Sequence, residues 1–134
     1  MNTYMNMLTK IKTIICIAVL FLCLFTGKAQ NSNCISYIRD TGYWYYIYDC
    51  NGKKVTTMSK TSYELLGWGS DWFAMSNGTW ICLYDINGKK YHTQSVSSYG
   101  PVVSIGSQNY VTFNGSWYYA FDKYGRKIDC WYKR

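Results

Sequence analysis

The sequence predicts an all-β fold, in which three tandem antiparallel hairpin or meander repeats of about 37 residues form one small domain. Three observations favour this fold. A tryptophan-containing segment recurs three times, each recurrence ends in the same Asp-x-x-Gly turn, and the residues between turns alternate with a period of two instead of 3.6. Both a closed, β-trefoil-like arrangement of the three units and an open stack of them are compatible with this pattern.

The first 29 residues are predicted to be a signal peptide. Two lysines precede an apolar run of 12 residues, 14–25, which is shorter than the roughly 20 residues that a membrane-spanning helix needs. Gly27 and Ala29 then occupy the −3 and −1 positions of a signal-peptidase site, so the mature chain begins at Gln30. We therefore expect export to the periplasm, the cell surface or the exterior, with an uncleaved N-terminal anchor as the alternative.

Removal of residues 1–29 from the 134 leaves one domain, 30–134, whose three copies are expected at about 33–63, 64–99 and 100–134. The whole chain has a net charge of +7, and the signal peptide holds three basic and no acidic residues, so the mature charge is +4. This charge is too small for a nucleic-acid-binding arm. We expect neither nucleic acid as a partner nor a membrane span after cleavage.

Four cysteines remain in the mature chain, Cys34, Cys50, Cys82 and Cys130. In a small exported protein this number predicts two disulfide bonds, with three possible pairings. A closed arrangement of the copies would bring Cys34 near Cys130 and leave Cys50 to pair with Cys82. A structural zinc site is disfavoured, because the chain has no Cys-x-x-Cys pair and only one histidine. The sequence therefore predicts no metal and no other cofactor.

The repeat is clearest around Trp44, Trp80 and Trp117, which are 36 and 37 residues apart. A two-residue turn precedes each tryptophan, and Asn-Gly in the second and third copies suits the positive φ of such turns. In the strand that follows, alternate side chains point to opposite sides of the sheet. We expect the tryptophan side to face the core, because an aromatic row buries a large area. Its residues are Trp44, Tyr46, Tyr48, Trp80, Cys82, Tyr84, Trp117, Tyr119 and Phe121.

Each of these strands ends in an Asp-x-x-Gly turn that begins at Asp49, Asp85 or Asp122. The aspartate is expected to accept hydrogen bonds from backbone N–H groups, and the glycine to take the left-handed position. A further strand follows, and then a Ser/Thr-rich connector leads to a short apolar segment, Glu64–Trp68 or Pro101–Ile105. Each copy is thus expected to contain up to four strands, and the first copy lacks its leading strand.

The string Asn-Gly-x-Trp, followed by an aromatic-Asp pair and a Gly-Lys turn, resembles the WG (Trp-Gly) repeat of bacterial proteins. The matching residues of the second copy are Asn77, Gly78, Trp80, Asp85, Gly88 and Lys89. The resemblance covers most of residues 33–130, although the glycine that follows the tryptophan is replaced by Tyr45, Ile81 and Tyr118. The family resemblance implies a β-structured array that serves as a binding surface and has no catalytic residue set.

The polar residues do not form a recognisable catalytic set. The aspartates shared by the three turns are expected to cap those turns, and their spacing lacks the ligands of a calcium loop. His92 is the only histidine, and the equivalent positions hold Thr56 and Asp129, so the repeat does not require it. We therefore predict that the chain is not an enzyme, with a secreted hydrolase built around His92 as an alternative.

Two sets of residues are candidate ligand contacts. Tryptophans outside the repeated position could stack on sugars or anchor a protein partner, or fill the core. They are Trp68, Trp72 and Trp131. Basic residues after the same turn of each copy could form a positive stripe, or serve as solvated strand ends. They include Lys54, Lys90 and Lys127.

The predicted function is that of an exported, non-enzymatic binding module for a glycan or a protein at the cell surface. The repeats, the many aromatic residues and the missing catalytic set all favour it. A small inhibitor or immunity-type protein that blocks another enzyme is the alternative.

Overall fold

The computed structural model describes residues 32–134, and the predicted signal peptide lies outside the described residues. The described chain forms three antiparallel sheets. The first sheet contains β1 (Ile35–Asp40), β2 (Trp44–Asp49) and β3 (Lys54–Ser59). The second contains β4 (Glu64–Trp68), β5 (Trp72–Ser76), β6 (Trp80–Asp85) and β7 (Lys90–Ser95). The third contains β8 (Val102–Ile105), β9 (Asn109–Phe113), β10 (Trp117–Asp122) and β11 (Lys127–Tyr132), and it is preceded by a one-turn helix, α1 (Val96–Tyr99).

Every sheet is a meander in which strands that are consecutive in the chain are also neighbours in space. The prediction of an all-β fold with antiparallel hairpin repeats is therefore confirmed. The three sheets are separate, so they are not joined in the closed, trefoil-like arrangement. Within residues 32–134 the first sheet has three strands, and it has no counterpart of β4 or β8, the leading strands of the other two sheets. Within residues 32–134 no helix has the length and apolarity needed to cross a membrane.

The turns follow the local chemistry of the sequence. In the second copy the side-chain oxygen of Asn77 accepts hydrogen bonds from the N–H groups of Thr79 and Trp80, at 3.0 and 2.8 Å. Gly78, inside this turn, has a φ of +90°, which a side chain would disfavour. Because Asn-Gly satisfies both requirements, this turn sets the start of β6 at Trp80.

The aspartate at the end of each central strand holds the next turn together. Oδ1 of Asp122 accepts hydrogen bonds from the N–H groups of Tyr124 and Arg126, both at 3.0 Å, and Asp49 and Asp85 make the same pair of contacts. Partial burial alone would raise the pKa of Asp122, but hydrogen bonds from Arg126 and Tyr124 lower it. The repeated aspartates therefore act as turn caps.

The sheets pack face to face in chain order. We call the side of each sheet that holds Trp44, Trp80 or Trp117 the tryptophan face, and the other side the opposite face. The opposite face of the first sheet packs on the tryptophan face of the second, where Ile47 and Phe73 belong to one buried cluster. The opposite face of the second sheet packs in the same way on the tryptophan face of the third. The second sheet is therefore buried on both faces.

The prediction that the tryptophan face is the core is correct for part of the molecule only. It holds for the second and third sheets, but it is wrong for the first sheet, where the opposite face is buried. The three repeated tryptophans are 46, 44 and 41% exposed, because each lies at the start of its strand beside a turn. In a stack every inner sheet has two covered faces and each end sheet has one, and this difference cannot be read from one repeat.

The predicted disulfide pairing is wrong. Cys34 is bonded to Cys50, with their Cα atoms 5.4 Å apart, because the two residues flank the paired ends of β1 and β2. Cys82 is a buried free thiol on the tryptophan face of the second sheet, and Cys130 is an exposed free thiol on β11. Cys34 directly precedes the first sheet and Cys130 lies in the third. Because the stack does not close, these two sheets are not neighbours.

This pairing predicts the reactivity of the thiols. In the native protein an alkylating reagent should modify Cys130 and leave Cys82 unmodified until the chain is unfolded, because the thiol of Cys82 is buried. Replacing Cys34 and Cys50 together by serine should destabilise the protein by about 3 kcal/mol, whereas Cys130→Ser should leave its stability unchanged. Mass spectrometry of non-reduced peptides measures the pairing, and a Cys34–Cys130 peptide would contradict it.

Candidate functional site

The structure does not bring the three candidate tryptophans together. Trp68 and Trp131 are 37 and 42% exposed, on β4 and β11. Trp72 is 1% exposed, and its indole N–H donates a hydrogen bond to the carbonyl oxygen of Ser107 at 2.9 Å. Trp72 is therefore part of the core, so the core-filling alternative holds for it and the predicted ligand contact does not.

The candidate lysines are exposed, with one at the start of the last strand of each sheet. The ammonium group of Lys54 lies 4.4 Å from the ring centre of Tyr46, and that of Lys127 lies 5.8 Å from the ring of Tyr119. These contacts keep each cation close to its own sheet. The lysines, which include Lys90, therefore mark equivalent strand ends and do not converge on a pocket.

His92 is half-buried on β7, where it lies against the turn at Gly125. Residues 32–134 contain no cluster of three or more His, Cys, Asp or Glu side chains that could hold a metal ion.

A polar contact between the second and third sheets involves Asp71 and Lys123. The ammonium nitrogen of Lys123 lies 2.9 Å from a carboxylate oxygen of Asp71, and this hydrogen bond raises the pKa of Lys123. The hydroxyl of Tyr91 donates to the carbonyl oxygen of Lys123. Asp71, Tyr91 and Lys123 also line a cleft between these sheets. Because these groups bond to one another, their contacts help to hold the second and third sheets together.

An aromatic pair recurs on the tryptophan face of all three sheets. Phe73 stacks on Tyr84 with ring centres 5.1 Å apart, and Tyr110 stacks on Phe121 at 5.0 Å. Both pairs lie between sheets. Among residues 32–134 no sheet covers the equivalent pair of the first sheet, although its rings stack in the same way at 4.5 Å. It consists of Tyr37 and Tyr48.

The opposite face of the third sheet is the second open surface. Three rings from neighbouring strands stack in a row there, with Phe113 4.5 Å from Tyr118 and Tyr118 5.4 Å from Trp131. The ammonium group of Lys133 lies 5.4 Å from the ring centre of Phe113. A shallow depression runs beside the row, lined by Tyr118, Trp131, Tyr132, Lys133 and Arg134. We call these two open surfaces, one on the first sheet and one on the third, the end faces.

Burial distinguishes the end faces from their counterparts inside the stack. Tyr118 occupies the position that Tyr45 holds in the first sheet and Ile81 in the second, and both of those residues are buried. The end faces thus have the composition of an interface, and no sheet in the described part of the chain covers them.

Reasoning from the sequence identified Trp131 as a candidate contact but missed Tyr37 and the arrangement of the two end faces. One signal was present in the alignment of the copies. Arg39 occupies the position of Met75, which is buried in the second sheet. A charged residue at a position that is apolar in the inner copy indicates a face that no other sheet of the described residues covers.

The tyrosines between the sheets are expected to ionise late. Burial, with a smaller contribution from nearby Cys82 and Tyr63, raises the pKa of Tyr84 to about 12, and burial also raises the pKa of Tyr110. In the unfolded chain these phenols have a pKa near 10. Because the folded-state pKa is higher, this contribution to stability is complete below about pH 10 and is lost as the pH rises through the folded-state pKa.

We therefore expect the midpoint of thermal unfolding to fall above about pH 10. During an alkaline titration the phenolate absorbance of the folded protein should lag behind that of the chain unfolded in urea, which means that it should appear at a higher pH. Tyr84→Phe should remove part of this lag, because Tyr84 is one of the tyrosines whose pKa burial raises. Identical titration curves for the folded and the unfolded chain would contradict the burial of these rings.

Neither the scan against protein-family models nor the search of curated proteins found a match to this sequence.

Proposed function

We propose that this chain is an exported, non-enzymatic binding protein that docks a protein partner on its end faces. The observation that carries the proposal is the ring row of Phe113, Tyr118 and Trp131, in which Trp131 is exposed and the other two rings are half-buried. The counterparts of Tyr118 and Trp131 in the second sheet, Ile81 and Gln94, are buried under a neighbouring sheet. Aromatic side chains that are already ordered lose little conformational entropy on binding, so they contribute efficiently to an interface.

The geometry of the ring row favours a protein over a glycan. A sugar stacks on the flat face of an exposed ring. Both flat faces of Tyr118 are occupied, by Phe113 on one side and Trp131 on the other, and Lys133 lies over Phe113. These two rings therefore have no free flat face on which a sugar could stack.

A non-enzymatic role is supported by the use of the polar residues. The aspartates common to the three copies accept turn hydrogen bonds, and Asp71 is paired with Lys123. These groups serve the fold, and His92 has no acidic partner among the ion pairs of the described residues.

A capture experiment with three forms of the chain tests the proposal. The purified chain, its Trp131→Glu variant and its Trp80→Glu variant are immobilised and exposed to the surface and exported proteins of the producing cell. Trp80 is a matched control, because it is 44% exposed, like Trp131 at 42%, and lies on the inner sheet. We expect a protein that is retained by the wild type and by Trp80→Glu and in smaller amount by Trp131→Glu, in which one of the two end faces is blocked.

Two outcomes would overturn this proposal. One is capture that is equal for all three forms, or absent from all of them. The other is binding to a glycan array that requires Trp131 while no protein is retained.

A further inference from the structure

The three sheets stack in one direction only. In both contacts the opposite face of one sheet packs on the tryptophan face of the next. Each contact is thus head-to-tail, joining two different surfaces, and a stack of this kind has two unlike ends that match each other. The ends are the tryptophan face of the first sheet and the opposite face of the third, which are the two end faces.

One pair of equivalent positions lies at both of these sheet-to-sheet contacts. Gln94, on the opposite face of the second sheet, accepts a hydrogen bond from the hydroxyl of Tyr110 at 2.8 Å. One repeat earlier, the same two positions hold Met58 and Phe73, which pack in one cluster. The two positions are occupied at the open ends by Trp131 and Tyr37, both exposed. A head-to-tail contact between chains would bring these two aromatic rings together.

A second pair of positions meets at the turns. A Cβ atom added to Gly88 would lie 2.9 Å from the sulfur of Met58 and 3.4 Å from the side chain of Thr56, and one added to Gly125 would lie 2.3 Å from the ring of His92. The turn glycine of each following sheet is therefore covered by the sheet before it. This contact depends on the stacking of the sheets and, at Gly88, adjoins the Met58 position of the first pair.

The same turn position is open in the first sheet. A Cβ atom added to Gly52 would meet nothing within 4 Å. The residue that corresponds to Thr56 and His92 at the far end is Asp129, which is exposed. A head-to-tail contact would set Asp129 against the turn of a second copy, directly before its Lys53-Lys54 pair. The carboxylate of Asp129 and this lysine pair carry opposite charges.

We infer that the partner on the end faces is a second copy of this chain, with the third sheet of one copy packed on the first sheet of the next. This inference rests on the proposed function and names its partner. Two copies joined at both ends form a closed ring of six sheets in which no end face stays open. If the rotation between sheets does not close the ring, the same contact produces a longer assembly.

Size-exclusion chromatography with light scattering on single variants and on their mixture tests this inference. Trp131→Glu blocks the third-sheet end and Tyr37→Glu blocks the first-sheet end. Because a head-to-tail contact needs one of each, both variants should be monomers, and an equimolar mixture should form a two-chain species. The wild type and the control Trp80→Glu should form dimers or larger assemblies. Both substituted residues are exposed, and unchanged circular dichroism verifies the fold.

A milder variant tests the charge contact without removing an aromatic ring. Asp129→Lys should raise the dissociation constant between copies about tenfold, because it places a cation against the lysine pair of the next copy. The increase should be larger at low salt, where charges are screened less. Asp129 is exposed on the edge strand β11, so this variant is expected to fold. An unchanged dissociation constant would count against a register that sets Asp129 beside this lysine pair.

Three results would overturn the inference. The wild type could remain monomeric up to about 1 mM. The mixture of the two blocked variants could remain monomeric. Tyr37→Glu alone could still dimerise, which would mean that the third sheet pairs with itself. A monomeric wild type that still captures another protein through Trp131 would refute this inference alone, whereas no capture of any protein, this chain included, would refute the proposed function as well.

Discussion

Replacing Trp72 with alanine is expected to destabilise the protein by about 3–5 kcal/mol, which is a large part of the stability of a small domain. Trp72 is buried in the cluster between the second and third sheets, where its ring lies 5.9 Å from that of Tyr110. The substitution leaves a cavity and removes the hydrogen bond to the carbonyl oxygen of Ser107. Urea unfolding followed by circular dichroism measures the loss.

Two further variants separate the contributions of Trp72. Trp72→Phe keeps most of the apolar volume and loses the N–H donor, so it should cost less than the alanine variant. Trp68→Ala removes an indole that is 37% exposed, and a much smaller loss is expected from it. Equal effects of Trp72→Ala and Trp68→Ala would contradict the assignment of Trp72 to the core.

The second large effect is expected from alanine at Gly125. This glycine has a φ of +85°, and an added Cβ would lie 2.3 Å from the ring of His92 in the preceding sheet. The variant therefore carries both the backbone strain of a left-handed residue, about 1–2 kcal/mol, and an overpacking cost of about 1–3 kcal/mol. The total loss of stability should exceed the loss caused by alanine at a turn glycine with open surroundings.

Gly52 provides the matched control. Its φ of +77° imposes the same kind of strain, but a Cβ there meets nothing within 4 Å. At high dilution Gly52→Ala should show the strain alone. The addition of His92→Ala to Gly125→Ala should recover part of the difference, which a double-mutant cycle measures. Equal losses for Gly52→Ala and Gly125→Ala would contradict the packing of the third sheet on the second.

Local features of the fold could be predicted well from the sequence. The turn before Trp80 was predicted from Asn77-Gly78, and the structure shows the expected side-chain hydrogen bonds and positive φ. The cap at Asp122 was predicted from Asp-x-x-Gly in the same way. These features depend on contacts between residues at most four positions apart, and such contacts leave a signature in a short stretch of sequence.

The site could be predicted only in part. Trp131 was singled out as a tryptophan outside the repeat, and it is exposed. The same argument selected Trp72, which is buried. The aromatic character of the two residues is alike, so the choice between surface and core depends on which sheet covers each face, and this is a long-range property.

The sequence by itself determined that the chain is a series of antiparallel hairpins with an aromatic and an opposite face on each sheet. Only the tertiary structure decided which faces are covered, that Cys34 pairs with Cys50, and that the stack remains open at both ends. The physical reason is that alternation with a period of two defines two faces, and an inner sheet is apolar on both. The order of stacking, and with it the identity of the exposed faces, is set by the packing between sheets and has no counterpart in the local pattern.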